Sequence, residues 1–370
     1  MMSETETVYR PDMAIPPGET IREAMEARGM NQAELAKRLE KTRAQVTEIL
    51  KGRQEVSPDV ALRLESVLGI PASFWLNLQA QYKEVLARIQ RKKTLEGEAG
   101  EVSRFPYVEM ASLGWVPKTR ILIEKAENLL SFFALSSLRQ VEEMHKAAYA
   151  IAYRKSQKRE ANPDHLAAWL RRGEIEAQEI ATGPFNRASL KERIADLKAL
   201  TLQPADKAGN TLKEICAASG VAVAYVPHLA QTHVNGATMW IRSEGSSVKD
   251  KPVILLTLRY RWADIFWFTF FHEIYHVLSE KKNQVFIQIN GVQTGDEEER
   301  QADKFASDSL IPTREYRSLC ENSRFAVENI RSFSSEIGVA AGIVVGRLQH
   351  DGKLQHWEHN DLRQRYELRV

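Results

Sequence analysis

Two histidines and a glutamate lie within five consecutive residues, H-E-I-Y-H at positions 272–276. Residues four apart lie on one face of a helix, so the imidazoles of His272 and His276 can bind one metal ion together. Between them, Glu273 stands beside the position of an attacking water and can accept its proton. The apolar residues of 265–278 cover several faces of the predicted helix, which favours burial. Because buried charge is costly unless it is paired or bound to metal, this stretch indicates a metal centre.

A catalytic zinc ion needs a third protein ligand and leaves its fourth position open. Residues 297–312 read E-E-E-R-Q-A-D-K-F-A-S-D-S-L-I-P, with apolar residues at helical spacing. Glu299 and Asp303 are four apart and share one face of this second predicted helix. We predict that Glu299 completes a His-His-Glu zinc site, with Glu298 as the next candidate. We predict that Asp303 hydrogen-bonds the other ring nitrogen of a ligand histidine. The alternative is a solvated acidic helix start, which suffices for residues 296–298.

The N-terminal segment, residues 16–82, contains start and stop signals for five short helices. Asn31 and Thr42 can cap helices over residues 32–39 and 43–50, and Gly29 and Gly52 can end the helices before them. Two short helices joined by a tight turn, with apolar residues inward, form the helix-turn-helix pattern.

The second of these two helices lies in a basic stretch. Residues 37–53 contain six Lys or Arg against Glu40 and Glu48, a patch that can hold phosphates. The first turn of a recognition helix faces base edges, and Arg43 suits guanine. The alternative is a small protein-binding bundle with a solvated charged face. The predicted DNA-binding residues are Arg43, Ala44, Thr47, Glu48, Lys51 and Arg53.

Both segments resemble known families. F-F-H-E-I-Y-H-V-L followed by E-E-R-Q-A-D-K-F-A-S-D-S-L-I-P resembles the ImmA/IrrE metallopeptidases, which implies that His272, His276 and Glu299 are zinc ligands and that Glu273 is catalytic. Tyr275 departs from that family, which usually has a small residue there, and this bears on activity more than on metal binding. N-Q-A-E-L-A, T-R-A-Q-V-T-E-I-L-K-G-R and L-G-I-P-A-S-F-W-L resemble the XRE (Cro/repressor) helix-turn-helix group, which includes HigA-like antitoxins.

The whole chain of 370 residues is expected to be mainly α (α+β) in three parts. Residues 1–84 are predicted to be a five-helix DNA-binding domain, 85–204 a helical middle region, and 205–370 a zincin-like domain. The small sheet of that last domain is predicted from strands at 221–226, 237–241 and 252–258, with a turn at Asn235-Gly236. His228 and His233 are open candidates for oxyanion donors.

Composition limits the class of protein further. The net charge of +2 means that any nucleic-acid surface must be local. Two cysteines exclude a disulfide framework. The first residues lack the pattern of a signal peptide, and no apolar run is long enough for a membrane span, so we expect a cytoplasmic location.

The predicted function is a regulator that binds a double-stranded DNA operator as a homodimer and carries a zinc-dependent metallo-endopeptidase. The resemblance to ImmA/IrrE implies cleavage of a specific regulator protein, and with both parts in one chain the substrate could also be the chain itself. A repressor or toxin-type protein is the expected protein partner. The alternative is a non-proteolytic, HigA-like antitoxin or autorepressor whose zinc domain is structural or sensory.

Overall fold

The structure is a computed structural model that describes residues 13–146, 161–243, 245–257, 261–282, 284–289, 297–322 and 325–366. It divides into two compact units, residues 1–99 and residues 100–370. The three-part division at positions 84 and 204 stays a prediction. No helix in these described ranges is long and apolar enough to cross a membrane.

Within residues 13–99, the first unit contains five α-helices. They are α1 (Pro17–Glu26), α2 (Gln32–Arg38), α3 (Arg43–Leu50), α4 (Pro58–Leu68) and α5 (Ala72–Glu98). Local sequence explains where α2 and α3 begin and where α4 ends. The Asn31 side chain accepts a hydrogen bond from the N–H of Glu34, and Thr42 forms a reciprocal capping box with Gln45. Gly69 follows α4 at φ +67°, a conformation that favours glycine.

The second unit is mainly helical around one small sheet. Its α-helices are α6 (Tyr107–Ser112), α7 (Leu122–Phe133), α8 (Val141–Met144), α9 (Pro163–Glu179), α10 (Arg187–Glu192), α11 (Ile194–Ala199), α12 (Ala205–Ala218), α13 (Ala263–Ser279), α14 (Glu297–Leu310), α15 (Thr313–Asn322), α16 (Val327–Ile337) and α17 (Ala341–His350). Its strands are β1 (Ala222–Tyr225), β2 (Val234–Arg242), β3 (Lys249–Leu256) and β4 (Phe286–Ile289). Short 3₁₀ helices lie at Ala99–Arg104, Leu138–Gln140, Leu200–Leu202 and Asn360–Leu362.

The sheet has the strand order β1-β3-β2-β4. β1 pairs with β3 in parallel, whereas β2 is antiparallel to both β3 and β4. α13 packs on β2 and β3, on α14 and on α17, so the helix that carries H-E-x-x-H is the centre of the unit.

Aromatic residues make α13 a core helix. Trp267, Phe270, Phe271 and Ile274 are each fully buried, as the all-round apolar pattern predicts. The indole Nε1 of Trp267 donates to the hydroxyl of Tyr366 at 2.7 Å. The apolar run in α17 is also core, with Val344 and Val345 fully buried.

The mainly α fold with a small sheet confirms the predicted class, and the differences are local. The prediction of a turn at Asn235-Gly236 was wrong, because both residues lie inside β2, which begins at Val234. β4 was not among the predicted strands. Ile121, just before α7, and Leu122, its first residue, are apolar but 57% and 48% exposed.

Candidate metal centre and nucleic-acid interface

The side chains of His272, His276 and Glu299 converge between α13 and α14. The Nε2 atoms of the two histidines are 3.2 Å apart. Glu299 places Oε2 3.4 Å from Nε2 of His272 and Oε1 3.6 Å from Nε2 of His276. Both histidines are buried, and the Glu299 side chain is 18% exposed. The structure therefore brings together the three residues that the sequence nominated as ligands.

This donor set fits a tetrahedral metal ion. Ligand atoms about 2.0–2.1 Å from a tetrahedral zinc ion are separated from one another by about 3.3 Å. The observed separations between the donor atoms, from 3.2 to 3.6 Å, bracket that value. Two imidazole nitrogens and one carboxylate are also the ligand types of a three-ligand catalytic site. The group can hold a metal ion with little rearrangement.

Asp303 orients one of the two histidines. His272 Nδ1 donates to Asp303 Oδ1 at 2.8 Å, which leaves Nε2 facing His276 and Glu299. Burial by itself lowers the pKa of His272, but the hydrogen bonds to Asp303 and Glu299 and the charge of Glu273 outweigh it and raise the pKa to about 9. Without a metal ion, His272 is therefore a cation at neutral pH, and metal binding must release its proton.

Glu273 lies on the sheet side of α13 and is fully buried. The hydroxyl of Thr238, on β2, donates to Glu273 Oε2 at 2.7 Å and lies 3.1 Å from the main-chain oxygen of Glu273. Gly236 lies two residues earlier on the same face of β2. A Cβ at Gly236 would lie 3.0 Å from Glu273 Oε1 and 2.5 Å from Thr269 Cγ2, so a larger residue there would displace its neighbours.

Tyr275, the residue that departs from the family pattern, contacts a face of α14 that differs from the face carrying Glu299. Its hydroxyl donates to Gln301 Oε1 at 2.6 Å, and its ring lies 5.9 Å from that of Phe305. Gln301 is about 200° around the helix from Glu299, at 100° per residue. Tyr275 thus packs alongside the ligand group, and its hydroxyl points to Gln301.

Three neighbours of the site escaped the sequence analysis. Thr238 and Gly236 were placed in or beside a predicted strand, but no role was assigned to them. Phe286, on the unpredicted β4, stacks on the ring of His276 with centroids 4.0 Å apart and planes 10° apart. Only long-range packing brings these residues to α13, so no sequence pattern could have found them. His228 and His233 are half-buried in the loop between β1 and β2, and their role as oxyanion donors stays a prediction.

The predicted nucleic-acid residues lie on and just after α3. Arg43, Ala44, Lys51 and Arg53 are exposed, as contact with DNA requires, and Thr47 and Glu48 are half-buried. The Thr47 hydroxyl donates to the main-chain oxygen of Arg43 at 2.8 Å and accepts from Gln32 Nε2 at 2.6 Å.

Internal bonds thus engage three of the six predicted residues, Thr47, Glu48 and Arg53. Glu48 pairs with Arg53 at 3.0 Å. The bond from Gln32 to Thr47 ties α3 to α2, so Arg43 and Ala44 in the first turn are better placed to meet base edges. The roles of all six residues stay predictions.

Two family models match parts of the chain. The model described as "Helix-turn-helix" matches residues 21–75, and the model described as "IrrE N-terminal-like domain" matches residues 242–349. The second match contains the H-E-x-x-H helix and Glu299, and it begins after Thr238.

Curated relatives and solved structures also match part of the chain. Virulence-associated protein I of Dichelobacter nodosus is 37% identical over 70 residues, 19% of this chain and 65% of that protein. Virulence-associated protein A of the same organism is 39% identical over 59 residues, 16% of this chain and 58% of that protein. The chain thus spans less than two thirds of the length of these relatives. A HigA-family addiction module antidote protein from Coxiella burnetii is 37% identical, with 23% of this chain and 94% of that chain covered and a TM-score of 0.21.

Proposed function

From the premise that this chain joins an XRE-type helix-turn-helix domain at residues 21–75 to an IrrE-like domain at residues 242–349, we propose that it is a transcriptional regulator with a zinc-dependent endopeptidase activity. The observation that carries the peptidase part is the convergence of His272, His276 and Glu299 around one point, with Glu273 beside them on α13.

Zinc is the metal we propose for the group, because two imidazoles and a carboxylate at tetrahedral spacing are typical of its catalytic sites. When bound, zinc supplies Lewis acidity that favours the attack of water on a peptide carbonyl. His272, His276 and Glu299 would hold the ion. Asp303 keeps Nε2 of His272 directed at it by accepting the hydrogen bond from Nδ1.

Glu273 is proposed to move protons, because it follows a ligand directly on the helix and its carboxylate is held toward β2 by Thr238. It would accept the proton of the attacking water and return it to the leaving amine. The chain's own contribution is therefore a buried, fixed carboxylate next to the ligand group.

Glu273→Gln tests this role, since it keeps the size of the side chain and removes the base. The purified variant should retain about one zinc per chain, while cleavage of the chain itself or of a partner repressor falls by about 100-fold or more. Mass spectrometry of wild type and variant, each incubated with zinc and candidate regulator proteins, measures it. If neither protein cuts and both regulate the operator identically, the non-proteolytic antitoxin or autorepressor is the correct function.

The helix-turn-helix domain is proposed to bind an operator as a homodimer. Exposed Arg43 and Ala44 in the first turn of α3 support contacts with base edges, and exposed Lys51 supports contact with phosphate. A dimer reads two half-sites about one helical turn apart, so the operator should be a near-palindrome. Footprinting tests this, and protection of a single unrepeated half-site contradicts the dimer.

A further inference from the structure

We propose that Thr238 is a positioning residue for the reaction: its hydroxyl holds the carboxylate of Glu273 in the place where it can exchange protons with the reacting groups. The inference rests on the proposed peptidase function and names a residue outside the family-matched range of 242–349. Thr238 contacts none of the three ligand side chains through a described hydrogen bond, so it would act through Glu273 alone.

The contact between Thr238 and Glu273 is fully buried. Thr238 and Glu273 are both 0% exposed, and the hydroxyl reaches Oε2 at 2.7 Å. A hydrogen bond to a carboxylate in a dry environment is stronger than one in water. Water does not compete for this bond, and the carboxylate keeps one direction.

The Thr238 hydroxyl lies close to two oxygens of Glu273. It has one hydrogen and two acceptors within reach, Oε2 and the main-chain oxygen of Glu273, at 2.7 and 3.1 Å. Whichever oxygen takes the hydrogen, the hydroxyl stays in contact with the same residue. Thr238 therefore ties the side chain of Glu273 to its own helix turn.

The space around the carboxylate of Glu273 is tightly limited by β2. Gly236 has no side chain beyond hydrogen. A Cβ at this position would lie 3.0 Å from Glu273 Oε1 and 2.5 Å from Thr269 Cγ2. Residues two apart in a strand share a face, so β2 approaches Glu273 with a glycine on one side and a hydroxyl on the other. The strand packs closely and binds one carboxylate oxygen specifically.

Three variants separate positioning from general stability. Thr238→Val keeps the shape and removes the hydroxyl, and Thr238→Ser keeps the hydroxyl. Thr232→Val is the matched control, because Thr232 is equally buried and its hydroxyl donates to the main-chain oxygen of Leu229 at 2.7 Å. Thr238→Ala replaces the valine variant should that protein not fold.

The first measurement is the crystal structure of each protein without metal. Glu273 should occupy the same position in wild type, T238S and T232V, and its carboxylate should move by about 1 Å or more in T238V. Zinc content, measured after loading with zinc alone, should be equal in all four proteins. A carboxylate that stays in place in T238V overturns the inference.

The second measurement is cleavage by the zinc-loaded proteins of one fluorescence-quenched peptide, the best substrate found in a pool of mixed sequence. We expect kcat to fall by about 10- to 100-fold in T238V with KM nearly unchanged, and T238S to recover most of the loss. Equal losses of kcat in T238V and T232V would also overturn the inference that Thr238 positions Glu273. If wild type cuts neither these peptides nor itself nor a partner repressor, the peptidase proposal fails, while the crystal structures alone still decide whether Thr238 holds Glu273.

Discussion

Replacement of Asp303 by asparagine should weaken zinc binding in a way that depends on pH. Asp303 Oδ1 accepts from Nδ1 of His272 at 2.8 Å, and asparagine keeps an acceptor there but removes the negative charge. Loss of such an outer partner typically costs 10- to 100-fold in metal affinity. Because D303N keeps the hydrogen bond, we expect a loss of about 10-fold once His272 is proton-free.

The proton on His272 sets the pH dependence. With the pKa of His272 at about 9, zinc must displace that proton at pH 7. Wild-type affinity should therefore fall by about 50-fold, or about 2 kcal/mol, between pH 9 and pH 7 from this group alone. D303N keeps this hydrogen bond but removes the negative charge that favours protonated His272, so the pKa of His272 falls and the variant meets less competition from protons at pH 7.

The loss of zinc affinity in D303N, relative to wild type, should therefore be larger at pH 9 than at pH 7. If D303N weakens the proton affinity of His272 tenfold, the loss of zinc affinity caused by the substitution should be about 5-fold smaller at pH 7 than at pH 9. Competition with a chromophoric chelator of known zinc affinity, at constant ionic strength, measures both proteins. Asp308→Asn, on the same helix, is the matched control. A defect of D303N that is equal at both pH values, or larger at pH 7, refutes this reasoning.

Three further outcomes are expected. Glu299→Ala should remove most bound zinc, whereas Glu298→Ala should not, because Glu298 pairs with Lys281; metal analysis of both variants decides. Arg43→Ala should relax base preference, and Lys51→Ala should weaken affinity for all sequences and reduce the salt slope, as measured by titration of operator and random DNA. Metal-free protein should lose stability as pH rises from 6.5 through about 9, because folding raises the pKa of His272; thermal melts against His272→Ala test it.

The order and type of the elements follow from local sequence. Caps at Asn31 and Thr42 define α2 and α3 because short-range hydrogen bonds to helix N–H groups decide where a helix begins. The spacing of His272 and His276, and of Glu299 and Asp303, puts each pair on one face of its helix. Sequence alone was therefore sufficient to predict the mainly α fold and to nominate the ligand group.

Tertiary structure alone decided which residues surround that group. The separations of 3.2 to 3.6 Å among the ligand atoms depend on how α13 packs against α14. Thr238, Gly236 and Phe286 reach the site because β2 and β4 pair beside α13, and a strand of four residues such as β4 has too little pattern to predict its pairing. Strand pairing and helix packing join residues 10 to 37 positions apart, and no local propensity encodes which of them meet.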